Sequence, residues 1–137
     1  MGRASLAAAF VVLAGCAEHM THPRQGFQGC SVSGTTLVCR GKQVLEAQCG
    51  APRGESCGSL ALVYAGGERV VLAAHGALHP EMASDGSRIW FRDPALRTDL
   101  WNVYDPESGV MQQEDPYHVE VLREEGAVPL WPGGAKN

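Results

Sequence analysis

The sequence has no apolar run long enough to cross a bilayer, and it carries no excess of positive charge. Its longest apolar run, residues 6–14, would cover about 14 Å as a helix, roughly half of a hydrocarbon core of about 30 Å. The apolar run is therefore too short for a membrane-spanning helix. The 11 lysines and arginines are outnumbered by 15 aspartates and glutamates, for a net charge of −4. An acidic chain gains no counterion-release attraction, so we also expect no binding of nucleic acid.

Familiar catalytic motifs are missing as well. The sequence contains no Walker A loop, no H-E-x-x-H pair and no G-x-S-x-G elbow. Ser31 and Ser33 lie beside Cys30 but lack the glycines that flank a nucleophile elbow. We therefore predict a protein that is not an enzyme and that uses no cofactor and no metal.

One pair of histidines leaves an enzymatic alternative open. His75 and His79 are four residues apart, a spacing at which two histidines on a helix can share a metal, with Glu81 or His118 as a further ligand. A glycine and a proline inside the segment argue against a helix. The simpler interpretation is an exposed loop over residues 75–86.

The first sixteen residues have the features of an export signal, with one positive charge, a short apolar run and small residues before Cys16. The ending Leu13-Ala14-Gly15-Cys16 resembles the lipobox of bacterial lipoproteins, in which a peptidase cuts before an acylated cysteine. The resemblance implies a cleaved signal peptide over residues 1–15 and a diacylglycerol on Cys16, with the membrane as a partner. Two or more acyl chains make such an anchor stable. Ala17 follows the cysteine where inner-membrane lipoproteins carry aspartate, so the predicted location is the bacterial cell envelope, at the outer membrane.

Assigning Cys16 to lipid leaves an even set of cysteines, namely Cys30, Cys39, Cys49 and Cys57. Such a cluster forms two disulfides in an exported chain, or a zinc site. The spacings contain no C-x-x-C pair, which favours disulfides. A hairpin turn centred on Gly41-Lys42 would place Cys49 opposite Gly34, near Cys30, which favours the pairs Cys30–Cys49 and Cys39–Cys57. A bulge at the turn would change this register.

Short apolar runs separated by turn residues dominate the rest of the chain. Gly66-Gly67 joins two of them, and an Asp-Pro pair follows three others. No window has the i, i+3, i+4, i+7 stripe of a helix, and residues 119–122 form the last predicted strand. The predicted fold is all-β, a small antiparallel meander sheet or barrel. Its parts are a lipidated tether (16–29), a disulfide-stapled hairpin (30–58), an antiparallel β module (59–125) and a flexible tail (126–137).

Alternation along the predicted strands assigns inward and outward side chains. The predicted core comprises Val63, Val71, Ile89, Phe91, Trp101, Val103 and Val121. Arg88, Trp90 and Arg92 then share the opposite face of one strand. If exposed, this stripe suits a sugar or an acidic partner through stacking and forked hydrogen bonds, with Tyr104 as a further contact. The alternative is that Trp90 covers a second small core, and Trp131 in the tail is expected to dock back onto the sheet.

Two further resemblances lie in the body of the chain. One series of strand and turn segments resembles the blade repeat of TolB-type β-propellers. It consists of Gly66-Gly67-Glu68, residues 84–91, residues 100–105 and Gly109. A propeller needs about four or more blades of roughly 40 residues. The resemblance therefore implies a single blade-like meander, or convergence on the same strand and turn chemistry.

The second resemblance is to the membrane-bound inhibitors of C-type lysozyme. It lies in Leu62-Val63-Tyr64, residues 69–72 and the strand that contains Trp90-Phe91, together with the size and the lipobox. It implies an eight-stranded antiparallel barrel and an inhibitory function. The family's Ser-Gly-x-Arg-Tyr segment has no counterpart here, so no inhibitory residues are carried over.

These observations predict a lipid-anchored envelope protein, a non-enzymatic β module that binds a protein or a glycan near the membrane. The alternatives are a lysozyme-inhibitor-like envelope protein and a small envelope enzyme that uses His75 and His79. The identity of the partner and the oligomeric state stay open.

Overall fold

A computed structural model describes residues 27–133, so Cys16, the predicted signal peptide and most of the predicted tether lie outside the described residues. Eleven strands and one helix occupy the described range. The strands are β1 (Cys30–Ser33), β2 (Thr36–Cys39), β3 (Lys42–Gly50), β4 (Ser56–Cys57), β5 (Ser59–Tyr64), β6 (Arg69–Ala73), β7 (Ala77–Ala83), β8 (Ile89–Arg92), β9 (Trp101–Asp105), β10 (Val110–Glu114) and β11 (Ala127–Pro129). The helix, α1 (Pro116–Glu124), lies between β10 and β11. No helix between residues 27 and 133 is long and apolar enough to cross a membrane.

The strands form two antiparallel sheets, which confirms the all-β prediction. The first sheet has the order β1-β2-β3-β5-β6 and the second the order β10-β9-β8-β7-β11, with β4 also paired to β7. The described residues thus form two sheets, not the eight-stranded barrel that the inhibitor resemblance implies. β5 pairs along β3, so one sheet spans the predicted boundary between residues 58 and 59.

The main core lies between the two sheets. Leu37, Leu45 and Leu62 from the first sheet are fully buried with Ile89 and Phe91 from the second, in one continuous cluster.

Of the predicted core residues, Ile89, Phe91, Trp101 and Val103 are buried as expected, and Val63 is half-buried. Val71 (56% exposed) and Val121 (39% exposed) were wrongly assigned. Val71 lies on the edge strand β6, and Val121 lies on a helix that the alternation rule treats as a strand.

The predicted hairpin of β2 and β3 is present, but its turn is centred one residue earlier than predicted. Arg40 and Gly41 both have positive φ (51° and 81°), so they form the two-residue turn and Cys39 faces Lys42. An unpredicted strand, β1, pairs with the other edge of β2 and brings Cys30 directly opposite Cys39.

The disulfides are therefore Cys30–Cys39, with Cα atoms 4.0 Å apart, and Cys49–Cys57, with Cα atoms 5.2 Å apart. The predicted pairs Cys30–Cys49 and Cys39–Cys57 are wrong. The prediction that these four cysteines form two disulfides is confirmed.

The helix α1 contradicts the prediction of no helix and replaces the expected strand over residues 119–122. Asp115 is its N-cap, and a carboxylate oxygen of Asp115 accepts a hydrogen bond from the backbone N–H of His118 at 2.9 Å. Pro116 occupies the first turn, where its missing N–H costs nothing. The Asp-Pro pair, interpreted above as a turn, is equally an N-cap followed by the first helical residue. With nine residues, α1 is too short to show a full apolar stripe.

The predicted loop over residues 75–86 contains β7 instead. The pairing of β7 with β8 shifts between Leu78 and Glu81, and His79 there has a φ of 51°. A bulge of this kind accommodates Pro80 within a strand.

Residues 126–133 of the predicted tail are described, and they include β11. β11 pairs with β7, and the fully buried Leu130 donates its backbone N–H to the carbonyl of Pro80 at 2.9 Å. Trp131 docks as expected, with its ring 6.1 Å from that of His79.

We predict that Gly86→Ala destabilises the protein by about 2–4 kcal/mol. Gly86 has a φ of +78°, and a Cβ built there lies 2.4 Å from a methyl carbon of the buried Leu37. Gly34→Ala is the matched control, because Gly34 has a φ of +61° with nothing within 4 Å. It should cost only the backbone strain, about 1–2 kcal/mol. Urea unfolding measures both, and equal losses would contradict the packing argument.

Tryptic mapping without reduction tests the disulfide pairing. Lys42 and Arg40 lie between the two bonded pairs, so cleavage there should release Cys30–Cys39 and Cys49–Cys57 in separate fragments. A fragment in which Cys30 or Cys39 stays bonded to Cys49 or Cys57 would refute this arrangement. Reduction before digestion gives the reference masses.

Candidate binding site

The four residues predicted to bind a partner do not share one surface. Trp90 is fully buried and Tyr104 is 4% exposed. They point to opposite faces of the second sheet, because Trp90 pairs with Val103 whereas Tyr104 pairs with the core residue Ile89. The binding stripe is therefore wrong, and the alternative that Trp90 covers a second small core is confirmed.

This second core lies between the second sheet and α1. Trp90, Trp101, Val103 and Ala83 form a buried cluster with Val119 of the helix. The second sheet is thus covered on both faces, by the first sheet on one side and by α1 on the other. Arg88 and Arg92 remain half-buried at the two ends of β8.

A half-buried carboxylate joins α1 to the sheet. One oxygen of Glu81 accepts hydrogen bonds from the indole nitrogen of Trp90 at 2.6 Å and from Nε of Arg123 at 2.7 Å. The guanidinium of Arg123 also lies 4.9 Å from the ring centre of Trp101, within cation–π distance. Glu81, a possible metal ligand in the sequence, thus holds the helix in place.

Two open clefts meet where β9 ends, and Arg88 and Asp105 line both of them. The cleft on the helix side has a volume of about 390 Å³, and His118 of α1 also lines it. The other has a volume of about 500 Å³ and extends to Phe27. The Arg88 guanidinium lies 3.4 Å from the Asp105 carboxylate, so this pair forms the wall between the clefts.

Both clefts are rich in carboxylates. Asp85 and Glu107 line the larger cleft, and Glu114 lines the smaller one. Hydrogen bonds from Ser87, with a smaller contribution from Arg88, lower the pKa of Asp85. Asp85 therefore carries its negative charge to lower pH than an ordinary aspartate. Of the residues predicted from the sequence to bind, only Arg88 lies in these clefts.

Sequence reasoning missed the acidic residues of the clefts because it treated them as turn residues. The turn from β7 to β8 contains Asp85, and the turn from β9 to β10 contains Glu107. Alternate turns of an antiparallel meander fall at the same end of the sheet. That rule, applied to the predicted strands, was the available signal for grouping these residues.

The metal-binding alternative is not supported by the positions of its residues. Nδ1 of His79 lies 3.1 Å from a carboxylate oxygen of Glu55, whereas Glu81 contacts Trp90 and Arg123 on the helix side. Across residues 27–133, no three His, Cys, Asp or Glu side chains come together as metal ligands would.

Comparison of the chain with protein-family models, with curated proteins and with solved structures finds no match.

We predict that Glu81→Ala destabilises the protein by about 2–3 kcal/mol, because it leaves the buried indole N–H of Trp90 without an acceptor. Arg123→Ala should cost less, about 1 kcal/mol, since Arg123 is 40% exposed. Thermal unfolding of both variants and of the double variant measures the coupling through Glu81. Additive losses would show that Arg123 and Glu81 act independently.

Proposed function

We propose that this protein is a lipid-anchored β module of the bacterial cell envelope that binds a protein or a glycan near the membrane and catalyses no reaction. The observation that carries the proposal is the pairing of the cysteines in residues 27–133 as disulfides. All four cysteines of the described range are paired, and disulfides persist in exported proteins but are rare in the cytosol. The fifth cysteine, Cys16, stands at the end of the lipobox-like segment, which leaves its sulfur for acylation.

The binding part of the proposal is supported by the two clefts on either side of Arg88 and Asp105. They are open, most of their lining residues are charged or polar, and they meet at the Arg88–Asp105 pair. Carboxylates outnumber arginines and lysines in the two linings, which favours a partner that carries positive charge or hydroxyl groups.

Metabolic labelling with palmitate tests the anchor. The full-length protein expressed in a bacterial host should incorporate label and partition with membranes, whereas Cys16→Ala should lose both. Ala17→Ser is the matched control and should stay labelled, because it leaves the cysteine in place. Intact mass of the purified protein would report the acyl chains and the loss of residues 1–15. Label retained in Cys16→Ala, or absent from the parent chain, would refute the proposal.

A further inference from the structure

The strand β10 ends the second sheet with an open edge. β9 pairs with all five residues of β10 without a register shift. Between residues 27 and 133, no other strand pairs with β10, and no further backbone–backbone hydrogen bond reaches residues 111–114. Val110 is 49% exposed and Met111 is 38% exposed. Backbone N–H and C=O groups along such an edge are available to another strand.

The other long sheet edges of the described range are protected. β6 has an irregular pairing between Leu60 and Ala61, and a charged residue, Arg69, begins it. At β1, the backbone N–H of Val32 donates to the carbonyl of Ser84 at 2.9 Å. Bulges, charged residues and covering loops are the usual devices against edge pairing. β10 has no register shift, no further backbone hydrogen bond reaches its residues 111–114 within the described range, and its one charged residue is the terminal Glu114. It is therefore the least protected of these three edges.

The smaller cleft runs directly beside this edge. Val110, Gln112 and Glu114 all line it, because they share the face of β10 that points toward α1. Arg88 is the only arginine or lysine that lines this cleft, and its charge is engaged with Asp105. Glu114 has no ion pair within residues 27–133. The side of the cleft nearest the open edge is thus left with an uncompensated negative charge.

We propose that β10 accepts an extended basic peptide as an additional antiparallel strand, with a lysine or arginine side chain in the smaller cleft near Glu114. This inference rests on the proposed function, since it specifies the partner as a protein segment. Backbone hydrogen bonds supply affinity in this mode, and alternate side chains supply specificity.

Charge decides between this partner and a second copy of the chain. A second copy paired along β10 would bring its own Glu114 carboxylate to the edge and would carry the same net charge of −4. Like charges at an interface cost free energy, whereas a basic strand is attracted to it.

The test uses an end-capped nine-residue peptide of alternating lysine and valine, titrated against the full-length protein in detergent so that any lipid is retained. It should bind roughly tenfold more tightly than the same peptide with glutamate in place of lysine, and higher salt should weaken it. No saturable binding at millimolar concentration, or equal binding of the glutamate peptide, would refute the proposal.

Two N-methylated forms of the lysine–valine peptide separate strand addition from simple charge attraction. An antiparallel strand whose lysines face the cleft presents the amides of only one residue type to β10. Methylating the lysine amides in one form and the valine amides in the other should therefore abolish binding in one form and spare it in the other. Equal binding of the two forms would overturn the proposal.

Glu114→Gln should weaken binding of the lysine–valine peptide about three- to fivefold, as expected for one partly exposed ion pair. Glu120→Gln is the matched control, because Glu120 is exposed on α1 and lines neither cleft. It should bind as the parent protein does, and equal weakening in both variants would argue against the cleft.

Sedimentation of the protein alone tests the second-copy alternative: self-association of the parent protein that Glu114→Gln strengthens, because like charges at the edge are removed, would favour a second copy and overturn the inference. Loss of peptide binding with palmitate labelling intact would leave the proposed function standing.

Discussion

The second sheet is apolar on both faces, and most of the structure follows from the need to cover each of them. Three consecutive residues of β8, Ile89, Trp90 and Phe91, are at most 2% exposed. Successive side chains of a strand point to opposite faces, so one layer of cover cannot bury all three. The first sheet covers Ile89 and Phe91, and α1 covers Trp90.

Because α1 buries Trp90, its indole N–H needs a hydrogen-bond acceptor within the protein, and Glu81 is that acceptor. An indole N–H buried without an acceptor would cost a free energy comparable to a lost hydrogen bond. Glu81 lies on β7 directly opposite Trp90 and accepts a hydrogen bond from its indole N–H. The negative charge of the same carboxylate forms an ion pair with Arg123 of α1. The same contact therefore satisfies the tryptophan and fixes the helix against the sheet. A glutamate that resembles a metal ligand in the sequence is explained by its neighbours in space.

The fold could be predicted wherever a local signal determines it. The hairpin across Gly66-Gly67 and the strands around Phe91 and Trp101 follow from β-type runs and turn residues, and they are confirmed. The disulfide pairing could not be predicted, because Cys30 meets Cys39 only through β1, a strand that no local signal predicts, and because the β2–β3 turn is centred on Arg40-Gly41 and not one residue later. A one-residue shift changes every cross-strand partner.

The missed helix and the missed clefts have a different physical cause. Asp115-Pro116 is chemically suited both to a turn and to a helix start, and only the apolar face of the second sheet selects the helix. The clefts depend on which turns lie side by side, a property of the completed sheet. Arg88 was predicted for the wrong surface: it lies at the end of β8, where its charge meets Asp105 and not an external ligand.

The position of Phe27 relates the clefts to the anchor. Phe27, the first described residue, lines the larger cleft beside Asp85 and Asp105. Whatever path the chain takes between Cys16 and Phe27, the eleven steps of backbone cannot exceed about 40 Å. If Cys16 carries lipid, the acidic end of the second sheet must therefore stay within that distance of the membrane surface, and the open edge of β10 begins at the same end, since Val110 pairs with Asp105. A partner tethered in the same membrane would meet this edge at a high effective concentration, so even a short strand of five residues could hold it.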